Sequence, residues 1–271
     1  MIYYEKHINK DSNEWVTFIH GAGGSSAIWF RQIEYFKSLF NVILVDLRGH
    51  GQSKLSHENV KNYSFKAFNQ DILEVLNKEK IEKTHLVGIS LGSIIIGNFL
   101  FFHSDRCKSA VLGGMVVKVN LISKILLFIT NFIKAILPAM FLYRVLARII
   151  LPKRNQNTSR NKYIKEAQKI TQDEFMKWFE TTKEVRKVFK NFKKVNNTPI
   201  LIIQGREDLI FLKDTQAYAE AKESVEIKVL ENCGHVVNIQ SAERFNKFAS
   251  EFILSNIKRE EKITLKKEVV E

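Results

Sequence analysis

Gly88-Ile89-Ser90-Leu91-Gly92 closes the apolar run THLVGI and opens a helix-compatible run. A serine on a tight strand-to-helix turn projects its hydroxyl from the end of a sheet. Small residues two before and two after relieve the crowding of that turn. The backbone N–H of Leu91 then points towards a developing oxyanion from a helix N-terminus. A serine hydroxyl is a weak nucleophile without a base, and the base needs an orienting acid. Of the seven histidines, His235 follows the last strand-like run, in Asn232-Cys233-Gly234-His235. Asp208 follows the apolar run PILII, in Gln204-Gly205-Arg206-Glu207-Asp208, with Glu207 as the rival acid. Both lie beyond the carboxyl ends of strands, where open α/β sheets build their sites. The order Ser90, Asp208, His235 fits acyl-transfer chemistry on such a turn.

A third element, His20-Gly21-Ala22-Gly23-Gly24-Ser25, follows the strand-like run WVTFI. Its glycines let the backbone turn N–H groups inwards and approach a substrate closely, with the Ala22 amide as second oxyanion donor. Neither G-x-x-x-x-G-K-[ST] nor G-x-G-x-x-G occurs, which argues against phosphate binding. His20 reads as a brace for this loop and His50 as structural. Cys233 reads as a small buried residue, because no helix N-terminus is expected there to activate it. His7, His57, His85 and His103 lack metal-ligand spacing, and two cysteines, Cys107 and Cys233, make no thiolate cluster. No cofactor and no metal is expected.

The elements that must position these residues are legible as alternating strands and helices. Strand-like runs cover Ile2–His7 (a short edge strand), Trp15–His20, Asn41–Asp46, Thr84–Ile89, Ala110–Val116, Pro199–Gln204 and Val225–Leu230. Most are continuously apolar, as parallel strands covered on both faces are. Helix-compatible spacing covers Ala27–Phe40, Ser64–Lys78, Leu91–His103 and Asp214–Lys222. This alternation predicts a parallel α/β sheet.

Charge breaks the pattern. The 271 residues carry 42 Lys+Arg against 29 Asp+Glu, a net of +13; from Lys118 to Asn197 there are 18 basic and 5 acidic residues, so that segment holds the whole excess. It has no strand-like run. Leu121–Ala135 puts Lys124, Asn131 and Lys134 on one face and leaves a wide apolar arc; a second helix follows Pro138 and carries Arg144 and Arg148. Tyr163–Val195 reads as one further helical stretch. No uncharged run in Leu121–Leu151 exceeds nine residues, too short for a membrane span. Most of its apolar residues are expected to pack inwards. The tail from Ile257 lacks a core face and is expected to fray.

Four motifs, HGAGGS at 20–25, DLRGHGQS at 46–53, GISLG at 88–92, and the pair GRED at 205–208 with CGH at 233–235, make the chain resemble an α/β-hydrolase-fold serine hydrolase with an inserted helical cap. The resemblance implies a core of residues 1–116 and 198–256 with a mostly parallel sheet and helices on both faces. It implies an all-helical cap over 117–197 and a charged tail over 257–271. It further implies Ser90 as nucleophile, His235 as base, Asp208 as orienting acid, and Ala22 and Leu91 as oxyanion donors. Members that open epoxides or remove halide carry aspartate at the turn, so acyl transfer to water is the expected chemistry, on an ester, thioester or amide. A small-molecule acyl substrate is expected, and lipid-like acyl esters suit the apolar cap. Two rivals use the same fold: a lyase or acyltransferase that binds an acidic substrate through Arg144, Arg148 and Arg154, and a non-catalytic ligand-binding protein. A nucleic-acid partner is not expected, for want of a recognised module. The start lacks an export signal, so a cytoplasmic location is expected, and the basic cap allows contact with the inner membrane face.

Overall fold

The computed structural model describes residues 1–53, 62–133 and 136–268. The strands are β1 (Tyr4–His7), β2 (Trp15–Ile19), β3 (Asn41–Val45), β4 (Thr84–Ile89), β5 (Cys107–Gly113), β6 (Ile200–Gly205) and β7 (Val225–Leu230). They form a sheet of order β1-β3-β2-β4-β5-β6-β7. β1 runs antiparallel to β3, and every other neighbour pair is parallel. Alternation of side chains across the pleat divides each central strand between two cores. Ile43 and Val45 join one, with Leu112 and Ile202, while Val42 and Leu44 join the other, with Val111 and Ile203.

Helices cover both faces, as buried parallel strands require. α1 is Ile33–Lys37, α2 Phe65–Lys78, α3 Leu91–His103, α4 Leu121–Ile133, α5 Ala139–Ile150 and α6 Asn157–Ala167. α7 is Gln172–Glu180, α8 Val185–Phe192, α9 Leu212–Glu220, α10 Val237–Gln240 and α11 Ala242–Glu268. α2, α3 and α9 pack on the first face, and α1 and α11 on the second. α2 begins where the Ser64 side chain accepts a hydrogen bond from the Ala67 amide, an N-cap. α4 to α8 all lie between β5 and β6. No described helix is long and apolar enough to cross a membrane.

Several boundaries differ from expectation. Ala27–Phe40 is a 3-10 turn at Ser26–Trp29 followed by the short α1. β5 starts at Cys107 and ends at Gly113, which frees Gly114 and Met115 for the site. Tyr163–Val195 is not one helix: Thr171 caps α7 by accepting from the Glu174 amide, and a 3-10 turn at Thr181–Lys183 separates α7 from α8. The expected frayed tail instead continues α11 to Glu268, with Ile257 packed against the second core. The largest departure is α4, where Leu121, Ile122, Ile125, Phe128, Ile129 and Phe132 face outwards, while Leu126 and Leu127 are half-buried. Lys134 and His57 lie outside the described residues.

Candidate active site

β4 ends at Ile89 and α3 begins at Leu91, so Ser90 turns the chain within one residue. It does so at φ 53°, ψ −115°, in the left-handed region that costs a non-glycine residue of order 1–3 kcal/mol. The Ser90 amide donates to Gly113 O at 2.9 Å. The Ser93 hydroxyl lies 3.1 Å from Gly88 O and 3.0 Å from Gly113 O. At Gly92 a Cβ would stand 2.1 Å from Ile19 O, a backbone atom in the sheet. Gly92→Ala is therefore expected to destabilise the fold by ~3 kcal/mol or more, read as a lower urea midpoint; an unchanged midpoint would show that this packing is not needed.

Ser90 Oγ lies 2.9 Å from His235 Nε2, and His235 Nδ1 lies 2.7 Å from Asp208 Oδ2. A carboxylate only accepts, so Nδ1 carries the imidazole proton and Nε2 is left to accept from the serine hydroxyl. His235 and Asp208 are buried, at 4% and 1% exposure. Two supporting features leave no signal in the sequence. Gln204, the penultimate residue of β6, donates from Nε2 to Asp208 Oδ2 at 2.6 Å, and its Oε1 accepts from the Met115 amide at 2.9 Å. Gly114, at φ 51°, leaves room for the histidine loop, because a Cβ there would meet His235 O at 2.4 Å.

Ala22 and Leu91 both border the same cavity as Ser90. Leu91 N–H heads α3 and has no partner within the helix. The loop holding Ala22 is braced from outside. Nε2 of His20 accepts from the Leu47 amide at 3.0 Å and its Nδ1 donates to Gly21 O at 2.8 Å. Nε2 of His50 accepts from the Gly23 amide at 3.1 Å. Asp46 Oδ1 accepts from the Ser26 amide at 2.6 Å. Burial pushes His20 down to about 4 and, with the neighbouring His20, pushes His50 down to about 3. Both rings are neutral acceptors at ordinary pH, which suits a bracing role.

The helices between β5 and β6 are tied to this loop and to the acid strand. Trp178 Nε1 donates to Arg48 O at 3.0 Å, Ser25 Oγ to Glu166 Oε2 at 2.9 Å, and Tyr143 OH to Ala22 O at 2.9 Å. Glu207, the rival acid, faces these helices instead of the histidine: it accepts from Lys153, Asn155 and Gln156. Those donors, Asn155 foremost, hold its carboxyl below the usual range.

Between core and helices lies a cavity of about 320 Å³ reaching from Ser90 and His235 to Leu146, Ile150, Phe175 and Val185. Its walls are largely aliphatic and aromatic. Tyr163 also lines it, with a buried hydroxyl that has no partner among the described residues. Arg144, Arg148 and Arg154 are exposed and line no part of it. Arg206 pairs with Glu231 at the surface, 2.9 Å away. Cys233 is fully buried, which pushes its thiol up to about 12.

The α/β hydrolase fold family model matches residues 14–115. The chain has the α/β hydrolase fold. It is 33% identical over 104 residues to 3-oxoadipate enol-lactonase 1 of Acinetobacter baylyi, covering 38% of each chain. It is 34% identical over 97 residues to the uncharacterized carboxylesterase nap of Bacillus subtilis, covering 36% of this chain and 32% of that one. These matches thus span less than half of the relatives' length. The structure superposes on the enol-lactonase from Burkholderia xenovorans LB400 with a TM-score of 0.78, at 18% identity over 93% of this chain and 96% of that one.

Proposed function

We propose that the chain is a serine hydrolase that cleaves a carboxylic ester of an apolar acyl group through an acyl-enzyme on Ser90. Lipid-like acyl esters and thioesters are the substrate class. The observation that carries this reading is the line of hydrogen bonds from Ser90 through His235 to Asp208, 2.9 and 2.7 Å long, on the wall of an apolar cavity. His235 Nε2 takes the serine proton as Oγ attacks the carbonyl carbon, and the amides of Leu91 and Ala22 meet the oxyanion. His235 then gives that proton to the departing alkoxide or thiolate. Water attacks the acyl-enzyme with the same histidine as base, which releases the acid and restores Ser90. Hydrolase and carboxylesterase names among the relatives and structural neighbours support the reaction class. No arginine among the described residues lines the cavity, which favours an apolar acyl substrate over an acidic one.

The test is labelling with a fluorophosphonate, read by intact mass. One adduct is expected on the wild type, none on Ser90→Ala, and much slower labelling on His235→Ala. A folded wild type that binds acyl ligands tightly yet takes no adduct would point to a binding protein. Among p-nitrophenyl esters, kcat/KM is expected to rise with acyl length by up to about fourfold per buried methylene until the cavity is full. A flat profile from acetyl to long acyl would remove the acyl-pocket assignment.

A further inference from the structure

An amphipathic helix ordinarily turns its apolar stripe to the core. α4 does the opposite. Leu121, Ile125, Phe128 and Phe132 recur at i, i+4, i+7 and i+11 with Ile122 and Ile129 beside them, and all six are exposed, Phe128 and Phe132 at 75% and 76%. The inward side carries Ser123, the half-buried Leu126 and Leu127, and the buried Thr130. On α5, Phe141, Val145 and Ile149 are exposed at i, i+4 and i+8, and Arg144 and Arg148 share that face. An apolar surface of this extent marks a contact with a partner or a membrane.

Charge and continuity with the cavity identify the partner. A second, open hollow of about 590 Å³ is lined by Lys124, Lys183 and Arg186 together with Phe128. It shares Leu127, Phe179 and Thr182 with the cavity at Ser90. Lys183 pairs with Glu180, whereas no ion pair among the described residues engages Lys124 or Arg186. Aromatic and aliphatic side chains bordered by cations match the layering of a bilayer, acyl chains beneath phosphates. A second copy of the chain suits the face less well, because pairing would bring two strongly basic segments together.

We propose that α4 and α5 dock on an anionic phospholipid bilayer. Phe128 and Phe132 enter the acyl region, and Lys124, Arg144, Arg148 and Arg186 meet lipid phosphates, their stems lying along apolar surface. Docking sets the basic hollow against the membrane, so that an amphiphile can pass into the cavity at Ser90 without crossing water. The docking surface itself stands independently of the chemistry proposed for Ser90.

The experiment is flotation of the purified full chain with phosphatidylcholine vesicles, with and without phosphatidylglycerol, at low and high salt. Wild type and Ser90→Ala are both expected to float with the anionic vesicles, and high salt weakens the association. The double variant I125E/F132E changes exposed residues outside both hollows. It is expected to lose at least about tenfold in vesicle affinity while keeping wild-type turnover of a soluble short-chain ester. K124E/R186E is expected to lose about tenfold on anionic vesicles only. The proposal is overturned if wild type does not float with anionic vesicles, or if I125E/F132E floats as well as wild type. It is equally overturned if sedimentation velocity shows a dimer dispersed by I125E/F132E without any lipid binding, because the face then joins two copies. Flotation with no ester turnover would overturn the hydrolase assignment and leave the docking surface standing.

Discussion

Ser90→Ala is expected to lower kcat on a p-nitrophenyl ester by on the order of 10⁵-fold with the fold intact. The substitution removes the attacking oxygen but not the turn that carries it. The Ser90 amide still donates to Gly113 O, and alanine is no more strained at φ 53° than serine is. Only the hydrogen bond to His235 is lost. On the proposed mechanism, rate remaining above that of water is expected from the Leu91 and Ala22 amides and from binding. Turnover, fluorophosphonate labelling and the urea midpoint are read together. Activity within tenfold of wild type, or an adduct retained on the alanine variant, would remove Ser90 from the mechanism.

Asp208→Asn is expected to cost about 10³- to 10⁴-fold in kcat, with little change in fold. Asp208 Oδ2 accepts from both His235 Nδ1 and Gln204 Nε2, 2.7 and 2.6 Å away. An asparagine keeps both bonds only with its oxygen at the Oδ2 position, and it then lacks the negative charge that stabilises the imidazolium. With its NH₂ at that position it faces the imidazole with a donor instead. Nδ1 must then become the acceptor, which moves the proton to Nε2, where it blocks removal of the serine proton. Glu207→Gln is the paired control. Its carboxylate contacts Lys153, Asn155 and Gln156 and never reaches the imidazole. Activity is expected to stay within about threefold, at a stability cost of up to ~1 kcal/mol for a partly solvated ion pair. Equal losses in the two variants, or a larger one at Glu207, would reverse the assignment of the acid.

The candidate site residues were legible because each belongs to a turn whose demands are local. A strand-to-helix reversal needs glycine near Ser90, and strand ends are marked by the halt of apolar runs before Arg206 and Glu231. The strands were legible for a related reason: a sheet buried on both faces leaves continuous apolar runs such as NVILV and ILII. Contacts made by distant pieces of chain left no such trace. Gln204 looks like any polar residue ending a strand, and only the fold brings Asp208 and Met115 to its two ends. Tyr143 and Tyr163 sat in an unremarkable helical stretch until packing turned them towards Ala22 and the cavity.

The apolar face of α4 shows the same division. Periodicity in LISKILLFITNFI determines that one side of the helix is apolar; it does not determine which way that side points. Direction depends on where Asn120 anchors the chain, by donating to Ile210 O at 2.7 Å, and on the burial of Thr130 instead of Phe128 and Phe132. The sequence by itself determined the alternating sheet, the serine turn and the order of the candidate acid and base. Tertiary structure alone decided between Asp208 and Glu207 as partner of the imidazole, the supporting role of Gln204, and the outward aim of α4. The physical reason is range: backbone conformation and burial period are set by neighbours in sequence, whereas hydrogen-bond partners and the aim of an amphipathic face are set by residues up to a hundred or more positions away.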